Sequence, residues 1–219
     1  MSITWTLFEI MGTIAFAFSG AMTGLSRRMD IFGITVLAVL TGVGGGMIRD
    51  VLLGITPPIA LRNSQALILS MVTAWIVSLF YQFVPISAQR RKWIEWLYLF
   101  SDTIGLAAFT VTGVLASLHT YPSYTYLLPI MTGLITAVGG GMLRDLMAQK
   151  VPVVLKTDVY AIASIIGGFA VCVYWNYFSI PAASWIGFSV VLLLRLLAVR
   201  FRWQLYHPHP RLYKRDNHD

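Results

Sequence analysis

The chain has 219 residues, of which 57% are hydrophobic and only 11% are charged. Soluble domains carry about 25% charged residues, so this composition and the mean hydropathy of +0.72 exclude an ordinary soluble protein. The net charge of +7 comes from basic residues that flank apolar runs, as topology determinants do, which argues against a nucleic-acid partner. The only cysteine, Cys172, excludes an intrachain disulfide.

The apolar runs are about 20 residues long, which predicts an all-α integral membrane protein rather than a membrane β-barrel. We expect a single transmembrane domain over residues 1–203, followed by a polar cytoplasmic tail over residues 204–219. The sequence predicts seven spanning helices, at about 4–25, 31–53, 64–84, 95–118, 126–148, 158–178 and 183–203.

Basic residues alternate between the linkers that join these spans. They fall in every second linker and at the end of the last span and beyond it, as Arg27, Arg28, Arg90, Arg91, Lys92, Lys150, Lys156, Arg200, Arg202, Arg211, Lys214 and Arg215. The intervening linkers hold Arg62 as their only lysine or arginine. Because basic loops remain on the cytoplasmic side, the sequence predicts an N-terminus outside the cell and a cytoplasmic C-terminus.

A glycine-rich motif occurs twice, as GGGMIRD at 44–50 and GGGMLRD at 139–145. A second shared pattern precedes each copy, running from Glu9 to Gly20 and from Asp102 to Gly113. Each unit contains three spans, and because three is odd the second unit must be inserted upside down. The sequence therefore predicts two inverted three-helix repeats, at about 4–84 and 95–178, and a seventh helix at about 183–203.

The glycine triplets have two possible explanations. Three glycines in place of alanine destabilise a helix by roughly 2–3 kcal/mol. They permit close helix packing, or they break the helix near the middle of the membrane, so that freed carbonyl groups line a wet path. Since the triplets recur at equivalent places, we favour kinked helices that line a pore. The residues concerned are Gly44, Gly45, Gly46, Gly139, Gly140 and Gly141.

Charged side chains also lie within the spans, where each costs about 2.5–3.5 kcal/mol on insertion scales. Glu9 and Arg49 lie at similar depths from one membrane face, and Asp102 and Arg144 from the other. We interpret them as two ion pairs at the mouths of a cavity, with snorkelling to the interface as the alternative. Asp50 and Asp145 are further pore charges that point elsewhere or accept hydrogen bonds from helix ends.

Small polar residues near the triplets are expected to donate hydrogen bonds to their own helices and are also candidates to line the same path. They are Ser19, Thr41, Thr112 and Thr136. No histidine and carboxylate have the spacing of zinc ligands, and no Ser-His-Asp set shares one depth. We therefore expect no metal site, no cofactor and no enzymatic activity.

Two three-helix repeats, each with Gly-Gly-Gly-x-x-Arg-Asp, and a seventh helix resemble the trimeric intracellular cation (TRIC) channels in their prokaryotic form. The resemblance covers about residues 1–203. It implies a homotrimer in a bacterial or archaeal plasma membrane, with one pore per subunit that passes monovalent cations, above all potassium. The implied pore lies among predicted helices one, two, four and five. Where animal members carry Lys-Glu-Val, this chain has Arg144-Asp145-Leu146.

The same sequence family includes bacterial membrane proteins described as glycine transporters. A secondary transporter of a small amino acid such as glycine is therefore the alternative to a channel for potassium or sodium, because inverted repeats suit both. The basic residues Arg90, Arg91 and Lys92 set the topology or bind anionic lipid headgroups, at about 1 kcal/mol per charge.

Overall fold

The computed structural model describes residues 3–83, 88–122, 125–156, 159–201 and 203, with residues 88–91 and 156 described in their backbone only. The predicted polar tail over residues 204–219 lies outside the described residues. Within the described ranges the chain forms nine helices: α1 (Ile3–Ser26), α2 (Ile31–Leu52), α3 (Ile59–Arg62), α4 (Gln65–Phe83), α5 (Ala88–Thr120), α6 (Leu127–Met147), α7 (Val153–Lys156), α8 (Val159–Trp175) and α9 (Ile180–Phe201).

Most of these helices have the length and composition of membrane spans. In the described part of the chain, six are long and apolar enough to cross a membrane, namely α1, α2, α4, α5, α6 and α9. Helix α8 is also apolar but has 17 residues, which is about 26 Å at 1.5 Å per residue. The protein is an all-helical, multi-pass membrane protein, as the sequence predicts.

Helix α5 is longer than its apolar run. It has 33 residues and begins at Ala88, whereas the sequence predicts a start near residue 95. The additional residues include alanine, glutamine, arginine and lysine, which are good helix formers and prolong the helix beyond its apolar part. The predicted basic linker is therefore largely helical, with an exposed Lys92.

The two short helices, α3 and α7, are not predicted by the sequence. Each has four residues and follows a proline, Pro58 before α3 and Pro152 before α7. Four residues are too few to show helical periodicity in a sequence. The prolines do mark where the short helices begin, because proline is favoured at helix starts.

Hydrogen bonds between linkers show which helix ends lie together. The Tyr121 hydroxyl donates to the carbonyl oxygen of Leu53, at 3.2 Å. On the opposite side of the molecule, Arg27 donates to the carbonyl oxygen of Gln149, at 3.3 Å. We call the first side the Arg49 end and the second the Arg144 end. Linkers that the sequence assigns to one membrane face thus meet in space.

Two phenylalanines form the centre of the helix bundle. The rings of Phe16 on α1 and Phe109 on α5 lie 5.2 Å apart in an edge-to-face arrangement, and both are buried. Each ring lies over a glycine of the other helix, because a Cβ on Gly12 would clash with Phe109 and one on Gly105 would clash with Phe16. These glycines let α1 and α5 pack closely through matching contacts.

Candidate functional site

The glycine triplets lie where α2 and α6 cross. Both helices continue through their triplets without a break. A Cβ added at Gly45 would lie 2.1 Å from the carbonyl oxygen of Thr136, and one at Gly140 would lie 2.2 Å from that of Thr41. The predicted helix breaks are wrong, and the packing alternative is right. Backbone-to-backbone contact, which only glycine permits here, offsets the low helix propensity of the triplets.

The other glycines of the triplets have different neighbours. A Cβ on Gly44 would meet the Leu143 side chain at 2.6 Å. A Cβ on the third glycine of each triplet would have only ordinary contacts. They are with Nη2 of Arg49 at 3.6 Å for Gly46, and with the Tyr160 hydroxyl at 3.5 Å and Nη2 of Arg144 at 3.7 Å for Gly141. The third glycine therefore leaves room for a guanidinium group beside its own helix.

Three of the four predicted pore hydroxyls bond to their own helices. Thr41 donates to the Leu37 carbonyl at 2.6 Å, Thr136 to that of Thr132 at 2.6 Å, and Thr112 to that of Phe109 at 3.4 Å. All three threonines are buried. The hydrogen bonds to their own helices are therefore present for all three, and Thr136 also lines a small cavity beside Arg49. Ser19 is different, because its hydroxyl accepts a hydrogen bond from Arg144.

Arg144 is the centre of a buried polar cluster that joins three helices. Its Nη1 donates to Asp102 Oδ1 on α5 at 2.6 Å and to the Ser19 hydroxyl on α1 at 2.5 Å. Its Nε donates to Asp145 Oδ1 at 2.9 Å. Asp102 and Arg144 thus form the ion pair that their similar depths in the membrane predict. We call Arg144, Asp102, Asp145 and Ser19 the Arg144 cluster; such buried charges persist only when paired.

Arg49 has a different set of partners. Its Nε and Nη2 both donate to Asp50 Oδ1, at 2.9 and 2.8 Å. Glu9 instead accepts a hydrogen bond from Trp5 Nε1 at 2.5 Å. The predicted Glu9–Arg49 ion pair is wrong, because Asp50 occupies the guanidinium and Trp5 binds the carboxylate.

Asp50 and Asp145 connect the arginines to the short helices. The second oxygen of Asp50 accepts from the backbone nitrogen of Ile59, at 2.8 Å, and that of Asp145 accepts from Val153, at 2.9 Å. These two aspartates therefore accept hydrogen bonds from helix ends, which is one of the two alternatives that the sequence left open. Each aspartate thus fixes an arginine and the beginning of a short helix at once.

Aromatic rings cover both guanidinium groups. The Arg49 guanidinium lies 5.4 Å from the Trp5 ring centre and that of Arg144 lies 5.2 Å from that of Tyr98. Such contacts contribute about 2 kcal/mol when they are desolvated. Sequence reasoning missed both rings, although each precedes the acid of its repeat by four residues.

A further arginine, Arg195, was also missed. It lies on α9 and is 1% exposed, and its guanidinium is 4.7 Å from the ring centre of Tyr160 on α8. The signal was present, since a charge inside the last apolar run marks a candidate functional residue.

Cavities approach the centre of the bundle from both ends. At the Arg49 end, a cavity of about 570 Å³ is lined by Thr6, Glu9, Thr13, Asn63 and Gln65, among others. A cavity of about 20 Å³ adjoins it and shares Glu9 and Thr13 with it. The small cavity has room for about one water molecule and is lined also by Gly46, Arg49, Asp50 and Thr136.

The cavity at the Arg144 end stops earlier. It measures about 660 Å³ and is lined by residues that include Thr23, Ser26, Glu95, Tyr98 and Lys150. Burial and the neighbouring Arg27 guanidinium lower the pKa of Lys150. The gap beside Arg144 and Gly141 has no room for a water molecule.

The fold and the site define a multi-pass helical membrane protein with buried, ion-paired arginines between two cavities. The sequence model of a family described as Glycine transporter matches residues 6–82 and 99–176. The chain is 37% identical to the UPF0126 inner membrane protein YadS of Escherichia coli, over 94% of this chain and 95% of that protein.

Two solved structures share the fold along nearly their whole length. One is a prokaryotic TRIC channel, with 31% identity, a TM-score of 0.84 and coverage of 94% of this chain and 100% of that one. The other is the Rhodobacter sphaeroides orthologue of the TRIC trimeric intracellular cation channel, with 30% identity, a TM-score of 0.81 and coverage of 92% and 100%. The chain belongs to the prokaryotic TRIC family.

Proposed function

We propose that the protein is a cation channel whose pathway runs between α1, α2, α5 and α6 and joins the two large cavities, both of which border α1 and α4. The observation that carries the proposal is the cavity at the Arg49 end, which narrows to a one-water space beside Arg49. Two carboxylates, Glu9 and Asp50, line that space with one guanidinium. The surplus of negative charge attracts cations into a confined cavity. The similar solved structures, which are described as TRIC channels, support the same function.

The permeant ions in this proposal are monovalent, potassium above all. A site for a calcium ion provides six to eight oxygen ligands, whereas the narrow cavity has a single surplus carboxylate charge. A monovalent ion needs fewer protein ligands than a calcium ion does to replace the water molecules that it loses. The carbonyl groups of the glycine triplets play no part, because α2 and α6 are unbroken there.

We also propose the architecture that the sequence predicts: seven spans, two inverted repeats and a homotrimer with one pore per subunit. The family model matches the chain in two successive segments, as a duplication requires. Helix α8 serves as the seventh span, because a length of about 26 Å needs only slight thinning of a bilayer core of about 30 Å. The trimer follows from the description of the similar channel as trimeric.

The proposed membrane is the bacterial inner membrane, which the name of the Escherichia coli relative supports. The Arg49 end faces outward and the Arg144 end faces the cytoplasm. Lys92 is exposed on α5, near the Arg144-end cavity. The side chains of Arg90 and Arg91 lie outside the described residues. Together they would meet anionic lipid headgroups at the cytoplasmic face.

This orientation predicts a labelling pattern for single cysteines. With Cys172 replaced by serine, cysteines at Ser26, Ser87, Ser123 or Ser179 are treated with an impermeant thiol reagent on intact cells. We expect labelling at positions 123 and 179 only, because basic linkers remain inside. Permeabilised cells, in which all four should react, provide the control. Labelling of 26 and 87 alone in intact cells would invert the topology.

Recording from purified protein in planar bilayers tests the function. We expect discrete openings of about picoampere size, with a reversal potential that follows the potassium gradient rather than the chloride gradient, because the cavity at Arg49 is acidic. Bilayers without protein are the control. Saturable glycine uptake by proteoliposomes, without openings, would instead make the protein a carrier.

A further inference from the structure

Helix α9 fills a groove in the second half of the molecule. It packs along α8 and α5, and its Trp185 and Phe188 rings lie 4.9 and 5.4 Å from the ring of Phe8 near the beginning of α1. That groove is therefore lined by α8, α5 and the beginning of α1. In the repeated sequence pattern α4 and α1 correspond to α8 and α5, so the equivalent groove of the first half lies between α4, α1 and the beginning of α5.

Two joined cavities form this equivalent groove. In the described part of the chain, α4 and α5 have no Cα atoms within 8 Å of each other. A cavity of about 560 Å³ lies between them, and its lining is almost entirely apolar, with Phe18 and Ile76 among its residues. It shares Leu69 and Val72 with the cavity at the Arg49 end. We call these two cavities together the α4 groove.

The α4 groove does not fit a helix that packs as α9 does. A Cβ on Gly167 of α8 would lie 2.1 Å from the Val191 side chain of α9, so the close approach of α9 depends on glycine. Counted from Pro58 and Pro152, the residue of α4 that corresponds to Gly167 is Thr73. Thr73 lines the groove, and its side chain keeps a helix further away. A flexible acyl chain can follow such a surface.

The length of the groove agrees with one acyl chain. From Leu69 to Phe80 its α4 wall runs for about 17 Å, at 1.5 Å per residue. One leaflet provides about half of a hydrocarbon core that is about 30 Å thick. Ile68, Val72 and Ile76 on the same wall are exposed, so the groove opens sideways to the lipid. A chain from the leaflet at the Arg49 end can therefore enter it from the bilayer.

One charge marks the Arg49 end of the groove. Of the described residues that line the cavity there, only Glu9 is charged, and polar neighbours such as Thr6 and Asn63 are neutral. Trp5 donates to one of the two carboxylate oxygens of Glu9, and a carboxylate accepts about four hydrogen bonds. The chemistry of this end therefore suits a ligand with one cationic group that donates hydrogen bonds.

We propose that the α4 groove binds a phospholipid with a primary ammonium headgroup, of the phosphatidylethanolamine type, from the leaflet at the Arg49 end. One acyl chain lies along Leu69, Val72 and Ile76, and the ammonium donates hydrogen bonds to Glu9. The quaternary ammonium of phosphatidylcholine has no N–H to donate, and the headgroup of phosphatidylglycerol has no cation. A hydrogen bond between charged groups corresponds to roughly a tenfold ratio of affinities.

Native mass spectrometry of the protein in detergent tests the headgroup. The delipidated protein is mixed with equal amounts of phosphatidylethanolamine, phosphatidylcholine and phosphatidylglycerol, and the lipids that remain bound are identified. We expect phosphatidylethanolamine to be retained roughly tenfold over each of the others. Glu9→Gln should remove this preference, since glutamine keeps an acceptor for Trp5 but loses the negative charge. Glu95→Gln is the matched control, because Glu95 lines the cavity at the opposite end.

A second pair of variants tests the acyl chain. Val72→Trp fills the groove where its two cavities join, so it should lower the retention of phosphatidylethanolamine roughly tenfold. Leu79→Trp is the matched control, because Leu79 is exposed on α4 but lines neither cavity. It should leave retention unchanged. An equal loss in both tryptophan variants would show that the lipid binds elsewhere on α4.

Three further outcomes would overturn the proposal. The first is equal retention of the three lipids by the unmodified protein, and the second is a preference that survives Glu9→Gln. The third is a preference for phosphatidylglycerol that Lys150→Gln removes, which would place the headgroup at the Arg144 end. Retention of lipid is measured without ion flux, so this site and the proposed channel function can fail independently of each other.

Discussion

Alanine in place of Gly140 is expected to destabilise the protein by about 1–3 kcal/mol, the range for overpacked cores. Its Cβ would lie 2.2 Å from the Thr41 carbonyl oxygen, and a backbone atom moves only if its helix moves. Gly45→Ala should act alike, since its Cβ would lie 2.1 Å from the Thr136 carbonyl oxygen. Reversible unfolding in mixed detergent micelles measures the loss.

The third glycine of each triplet provides the matched control. For Gly46→Ala and Gly141→Ala the nearest atoms lie 3.6 and 3.5 Å from the new Cβ, and alanine adds about 1 kcal/mol of helix propensity. Both variants should unfold at unchanged or higher denaturant. The double variant Gly45→Ala/Gly140→Ala should lose less stability than the two single variants lose together, because one separation of α2 and α6 relieves both clashes. Equal losses at all four positions would show that the triplets provide flexibility rather than contact.

The sequence was sufficient for the large features of the fold. Apolar runs located the long helices because a bilayer imposes a fixed length of nonpolar chain. It was insufficient for α3 and α7, which are too short for periodicity, and for the start of α5. At its start, α5 continues through polar residues. The hydropathy of a sequence shows where the chain enters the bilayer, whereas the backbone hydrogen bonds of the helix extend beyond that point.

The candidate site was predicted in part. Matched depth found Asp102 and Arg144, since two groups at one depth on neighbouring helices can meet. The same argument failed for Glu9 and Arg49, because depth carries no information about competing partners such as Asp50 and Trp5. The glycine triplets show a related limit. Low propensity is visible in a sequence, whereas the neighbouring helix that compensates for it is visible only in the fold.

Loss of the Arg144 guanidinium is expected to have the largest effect of any single change in the site. Arg144→Gln leaves the buried carboxylates of Asp102 and Asp145 without their cation, and an uncompensated buried charge costs about 3–5 kcal/mol. Adding Asp102→Asn should recover part of this loss, because the double variant buries one charge fewer. Unfolding of both single variants and the double variant measures the coupling, expected to exceed about 1 kcal/mol.

The equivalent pair in the other repeat gives the control for this cycle. Glu9 is only partly buried and accepts from Trp5 rather than from Arg49. The coupling between Glu9→Gln and Arg49→Gln should therefore stay below about 0.5 kcal/mol, the limit within which independent sites add. Strictly additive losses at Asp102 and Arg144 would contradict the ion pair at the centre of the Arg144 cluster. Strong coupling between Glu9 and Arg49 would instead restore the symmetric pairing that the sequence predicts.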